Sequence, residues 1–101
     1  MDAEFENQQC CQSETDIVEP EDYKVILLND DYTTKDFVVS ILIHIFNKQE
    51  PDAVAIMESV HKTGRGIVGI YSFDIAQTYV AMVRDFSCKN GFPLRCSMEK
   101  N

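Results

Sequence analysis

The first 22 residues of this 101-residue chain carry eight acidic side chains, from Asp2 and Glu4 through Glu21 and Asp22, and neither a lysine nor an arginine. Residues 23–101 hold the other nine acids and all nine bases, so the net charge of −8 lies wholly in the leader and the body is neutral. A stretch rich in Glu and Gln with few large apolar side chains cannot bury enough surface to offset its ordering entropy. Residues 1–22 are therefore expected to be a disordered acidic extension, and residues 23–101 must supply the fold. A body of about 80 residues sustains one hydrophobic core and not two, and a hydrophobic content of 45% is that of an ordinary globular domain.

The same charge distribution narrows the partners. Phosphate backbones are bound by Lys and Arg, so a polyanionic leader on a neutral body disfavours nucleic acid. Apolar stretches such as Ile41–Ile43 and Ile67–Val68 fall far short of the ~20 residues of a membrane-spanning helix, and no membrane partner is expected. The leader has neither the positive start and apolar run of a secretion signal nor the Arg-rich, acid-poor make-up of a transit peptide, which predicts a cytoplasmic protein. Cys10 and Cys11 are vicinal, and Cys88 and Cys96 form no CxxC pair. They read as reduced thiols, the latter two as small buried hydrophobes, with no metal or cofactor implied.

Along the body, Tyr23–Leu28 is a β-branched and apolar run ended by the turn formers Asn29, Asp30 and Asp31. Thr33 can cap a helix over 34–46 with Phe37, Val38, Ile41, Leu42, Ile45 and Phe46 along one face. Pro51 suits the first turn of a second helix with the stripe Val54, Met57 and Val60, stopped at Gly64. A second strand over 66–71 leads through Ser72 into a third helix striped by Ile75, Tyr79, Met82, Val83 and Phe86. Gly91 and Pro93 close that helix before a short strand over 94–98. The order β-α-α-β-α-β predicts a small α+β sandwich, three helices packed on one face of a three-stranded sheet.

Chemistry-bearing residues concentrate after the first strand. Asn29, Asp30 and Asp31 sit on a strand-to-helix loop, where scaffolds commonly present function, and with His61 they offer acceptors for a cationic donor. The same residues also suit a solvated turn, and Asp30, Asp31 and His61 could in principle serve acid–base chemistry or metal ligation, although no nucleophile or further ligand pair accompanies them. Met57, Val60 and His61 stand at i, i+3 and i+4, which puts two apolar side chains and one polar ring on one helix face. His44 is expected to be exposed and without a role. The stretch Lys62–Gly66 lacks the spacing of a phosphate loop and follows a helix instead of starting one, so it reads as a tight turn.

The run Tyr23-Lys24-Val25-Ile26-Leu27-Leu28-Asn29-Asp30-Asp31-Tyr32-Thr33 resembles the signature of the bacterial ClpS adaptors. Met57 with Val60–His61, Ala81–Met82–Val83, Pro93–Leu94 to Cys96, and Glu99–Lys100 continue the resemblance in order to residue 100. It implies a non-catalytic adaptor that binds N-degron substrates by a bulky hydrophobic first residue, Leu, Phe, Tyr or Trp, and delivers them to the ClpA-type unfoldase of the ClpAP protease. By position, Asn29, Asp30, Asp31 and His61 would hold the substrate's α-amino group. Thr33, Lys35, Val38, Met57, Val60 and Leu94 would line the pocket for its first side chain, and Asp74 and Tyr79 would face the N-terminal domain of the unfoldase. The acidic leader would be the segment that the unfoldase engages, and a monomer is expected.

Two positions depart from the family pattern. Lys35 stands where a Met usually borders the pocket; its aliphatic stem can cover apolar surface while its ammonium stays in water, and its charge opposes a nearby α-amino group. Tyr79 stands in place of a Lys on the unfoldase-facing helix, while Asp74 keeps the acid. The alternative reading is a docking domain like that of the ribosomal stalk, which has a similar fold and needs no amine-binding constellation.

Overall fold

A computed structural model describes residues 21–101 of the chain. The elements run β1 (Asp22–Leu28), α1 (Lys35–His44), α2 (Glu50–Thr63), β2 (Arg65–Ser72), α3 (Phe73–Lys89) and β3 (Arg95–Lys100). The three strands form one antiparallel sheet in the order β2-β1-β3, and the helices cover one of its faces, the α+β sandwich that the pattern predicts. Residues 1–20, which include most of the expected acidic extension and Cys10 and Cys11, lie outside the described residues. At the boundary, Asp22 is already the first residue of β1 and Glu21 pairs with Lys100 at 3.1 Å. Among the described residues no helix is long and apolar enough to cross a membrane.

Strand β1 is central because its residues can be buried on both sides. Val25 and Leu27 point into the helix-covered core, whereas Ile26, also 0% exposed, faces the other way. On that open face Arg65 lies opposite Leu28 and Glu99 opposite Lys24, so their 3.3 Å ion pair spans the two sides of Ile26. The pair is half exposed and contributes under about 1 kcal/mol. The register between β1 and β2 slips at Val25/Ile26, leaving Val68 as the extra residue of a bulge. Val68 lies in the core with Val25 and Leu27, and the slip returns Tyr71 to the same face, opposite Tyr23.

Helix α1 starts one residue later than a Thr33 cap implies. Thr34 is the cap, its Oγ1 accepting from the Phe37 amide at 3.1 Å, because Thr33 is engaged by Asp30. Helix α2 buries Ala53, Met57 and Val60, while Val54 stays partly exposed. It ends at Gly64, whose φ of +90° is the left-handed conformation that glycine adopts without strain.

The stripe expected on α3 holds at Val83, which is buried, and at Tyr79, which packs on the core, and fails at its other positions. The buried positions of the helix are Ala76, Val83 and Ser87, whereas Ile75 and Met82 are 51% and 44% exposed and Phe86 is borderline. Small side chains, Ala76 and Ser87, take covered positions on this helix while the larger Ile75 and Met82 turn outward; hydrophobicity alone does not say which of them the sheet will cover. Phe86 instead stacks on Phe37, with ring centroids 5.7 Å apart. Cys88 is exposed, contrary to expectation, because it falls one position beyond the buried Ser87; Cys96 is half-buried, and its burial pushes the thiol up to about 12. Strand β3 likewise begins after Leu94, which is buried in the core.

Gly66 marks the closest approach of β2 to α2. A Cβ there would stand 2.7 Å from Val60 Cγ2 and 3.1 Å from the Ile56 carbonyl oxygen. Gly66→Ala is expected to destabilise the fold by about 1–3 kcal/mol, the usual cost of overpacking, seen as a lower denaturation midpoint at unchanged m-value.

Candidate functional site

The site forms where β1 ends against the end of α2. Leu28 pairs with Arg65, the first residue of β2, and the Asn29 amide donates to the Gly64 carbonyl at 2.9 Å. This clamps the loop after β1 to the turn after α2, one helical turn from His61. The apolar side chains at the same end, Met57 and Val60 from α2 and Val38 from α1, are each less than a tenth exposed. A cleft of about 270 Å³ opens between them, lined by Asn29, Asp30, Asp31, Thr33, Lys35, Val38, Met57, Val60 and His61.

These are nine of the ten residues proposed from the sequence for the amine and side-chain subsites. Leu94 is the exception. It is 4% exposed within the core and borders a separate depression with Leu28, Val80, Arg84 and Arg95, because the chain reaches it from the C-terminal end of α3, on the far side of β1 from α2.

The polar groups divide into two kinds. Asp30 is occupied by its own loop. Its Oδ1 accepts from the amides of Tyr32 at 2.8 Å and Thr33 at 2.7 Å, and its Oδ2 accepts from Thr33 Oγ1 at 2.7 Å. This Asx-type turn sets the path from β1 into α1. Burial by itself would raise the Asp30 carboxyl, but the hydrogen bonds from Thr33 and Tyr32, with the Arg95 cation nearby, outweigh it and hold the group below its ordinary value. Asn29, Asp31 and His61, by contrast, are exposed, and among the described residues their side chains hold no hydrogen bond. They leave an amide oxygen, a carboxylate and an imidazole nitrogen facing one cleft, a set of acceptors around an excess of negative charge.

Among the described residues no group of three or more His, Cys, Asp or Glu side chains is placed to hold a metal. Of the two residues expected on the third helix, Asp74 is exposed in the first turn of α3. Tyr79 is turned inward, its ring 4.5 Å from Phe46 and 4.9 Å from Tyr71. Five residues apart on a helix is about 140° of rotation, so the two do not share one face.

The model of the family described as ATP-dependent Clp protease adaptor protein ClpS matches residues 18–97. The chain belongs to the ClpS family. Its relatives include the ATP-dependent Clp protease adapter protein ClpS of Treponema denticola, 54% identical over 82% of each chain. That of Acetivibrio thermocellus is 50% identical over 87% of this chain and 89% of its own. Among solved structures, Agrobacterium tumefaciens ClpS2 bound to L-phenylalaninamide superposes with a TM-score of 0.80 at 36% identity, covering 82% of this chain and all of that one. The family is one of non-catalytic adaptors of the Clp protease, so neither an enzyme built on Asp30, Asp31 and His61 nor a stalk-like docking domain describes this chain.

The Asp30 turn generates a pH signature. A carboxyl held low in the fold contributes stability that is fully present above its unfolded value, about 3.9, and is lost as pH falls through the lower folded value. Asp30→Asn, which keeps the acceptor oxygen without the charge, is expected to be less stable than the native chain at neutral pH. The gap should close as pH drops below about 4, and denaturant titrations at several pH values would read it.

Proposed function

We propose that the cleft receives the free N-terminus of a protein substrate whose first residue is bulky and hydrophobic, and that the chain hands such substrates to a ClpA-type unfoldase for degradation by ClpAP. The observation that carries this reading is the joining, in one cleft, of acceptors for an ammonium group to an apolar floor. An α-ammonium presents three donors and one positive charge; Asn29, Asp31 and His61 supply acceptors and charge for it, and Asp30 orders the loop that aims them. Val38, Met57 and Val60 supply the surface for the first side chain, with Thr33 and Lys35 at its border. Methionine in that surface suits rings of different shape. The ligand of the Agrobacterium relative, L-phenylalaninamide, carries both features, a free α-amino group and an aromatic side chain.

The cleft favours a free terminus over an internal residue for a physical reason. An acetylated or internal amide offers at most one donor and no charge, so most of the acceptors would stay unpaired on binding, and polar sites reject such analogues strongly. Asp74, on the solvent side of α3, would meet the unfoldase's N-terminal domain; Tyr79 offers only the outer edge of a ring committed to Phe46 and Tyr71. The acidic leader is the segment the unfoldase would engage during delivery in the cytoplasm.

Fluorescence anisotropy with labelled peptides beginning with Phe, Leu, Arg or Ala tests the reading. Phe and Leu peptides should bind; acetylation of the Phe peptide should abolish binding. His61→Ala should weaken it by roughly 10-fold or more, the size of a lost charge-assisted hydrogen bond. Equal binding of acetylated and free Phe peptides would overturn it.

A further inference from the structure

The cleft contains one cation, Lys35, and neither the amine nor the first side chain of a substrate has a use for it. Lys35 is the first residue of α1, three positions before Val38. On a helix these positions share a face, so the buried Val38 forms part of the floor and the exposed Lys35 stands above it at the rim. A peptide chain held by its terminus at Asn29, Asp31 and His61, with its first side chain down on Val38, Met57 and Val60, has to leave the cleft past this rim.

We propose that Lys35 makes the cleft selective for the residue that follows the first, favouring an acidic side chain there and disfavouring a basic one. This rests on the amine-receptor reading above and adds a second specificity element to it. An acidic group at that position pairs with the Lys35 ammonium and relieves its repulsion of the bound α-amino group; a basic group adds a third positive charge. The other charged groups nearby do not cancel the effect. Asp31, the free carboxylate of the cleft, is taken up by the bound α-ammonium in that reading; Asp36, the neighbouring acid on α1, does not line the cleft, Asp30 is committed to Thr33 and Tyr32, and Arg95, the cation beside Asp30, borders the separate depression with Leu94. Among the described residues Lys35 belongs to no ion pair. Because the rim is open to water, the preference is moderate and falls with salt.

The test uses the full chain and three labelled peptides that differ only at the second position, Phe-Asp, Phe-Ser and Phe-Lys. The native protein should bind Phe-Asp more tightly than Phe-Lys by about 3- to 10-fold at low salt, with Phe-Ser between them. In Lys35→Met the ratio should fall towards one, and in Lys35→Glu it should invert. Both substitutions are at an exposed position, and thermal melts would establish that each variant is folded. A ratio near one in the native protein, or a ratio unchanged in Lys35→Met, would overturn the proposal while leaving the amine receptor standing. Failure of the native protein and of Lys35→Met to bind any of the three Phe peptides would overturn the receptor reading and this proposal with it.

Discussion

The hydrogen bond from the Asn29 amide to the Gly64 carbonyl, 2.9 Å long, joins two loops that are more than thirty residues apart in sequence. It forms because β1 and β2 pair in a register that sets Leu28 opposite Arg65, and because Gly64 can turn left-handed at the end of α2. With that junction in place, the acceptors after β1 and the last two turns of α2 face each other across a cleft. The central position of β1, buried on both faces, makes the junction rigid, since neither neighbouring strand can shift without uncovering Ile26 or the Val25 and Leu27 layer.

Within the cleft the three consecutive polar residues do different work. Asp30 spends its oxygens on the amides and hydroxyl of its own loop, a local choice open to an Asp followed by a Thr three positions on. This leaves Asn29 and Asp31 on either side with their acceptors turned outward, next to a histidine from another element. Binding sites of this kind need acceptors that are unpaired in the free protein yet already ordered, and the Asx turn supplies the order without using the acceptors. The apolar side of the cleft is held from below, by Val38 and Val60 rooted in the core.

The third helix is built on a different constraint. It buries Ala76, Val83 and Ser87 and turns Ile75 and Met82 outward. Aromatic rings then close the edges: Phe86 and Phe92 around Phe37, and Tyr79 between Phe46 and Tyr71. The tyrosine at position 79 is thereby drawn into the side of the core, which alters the surface that α3 presents beside Asp74.

Much of this protein is readable along the chain. The division between acidic leader and neutral body, the order of strands and helices, the turn formers after β1 and the left-handed stop at Gly64 all depend on local propensity and spacing, and the NDDYT run with its later Met, Val and His carries the family. Tertiary structure decided what depends on distance between elements. It turned Ile75 and Met82 of the α3 stripe outward, left Cys88 in solvent, took Leu94 into the core without bringing it to the cleft lining, drew Tyr79 against Phe46 and Tyr71, and separated Asp30 from its neighbours in role. Sequence periodicity identifies which residues are apolar and which face they share; how closely two elements approach, and therefore which side chains fit between them, is set only when the whole core packs.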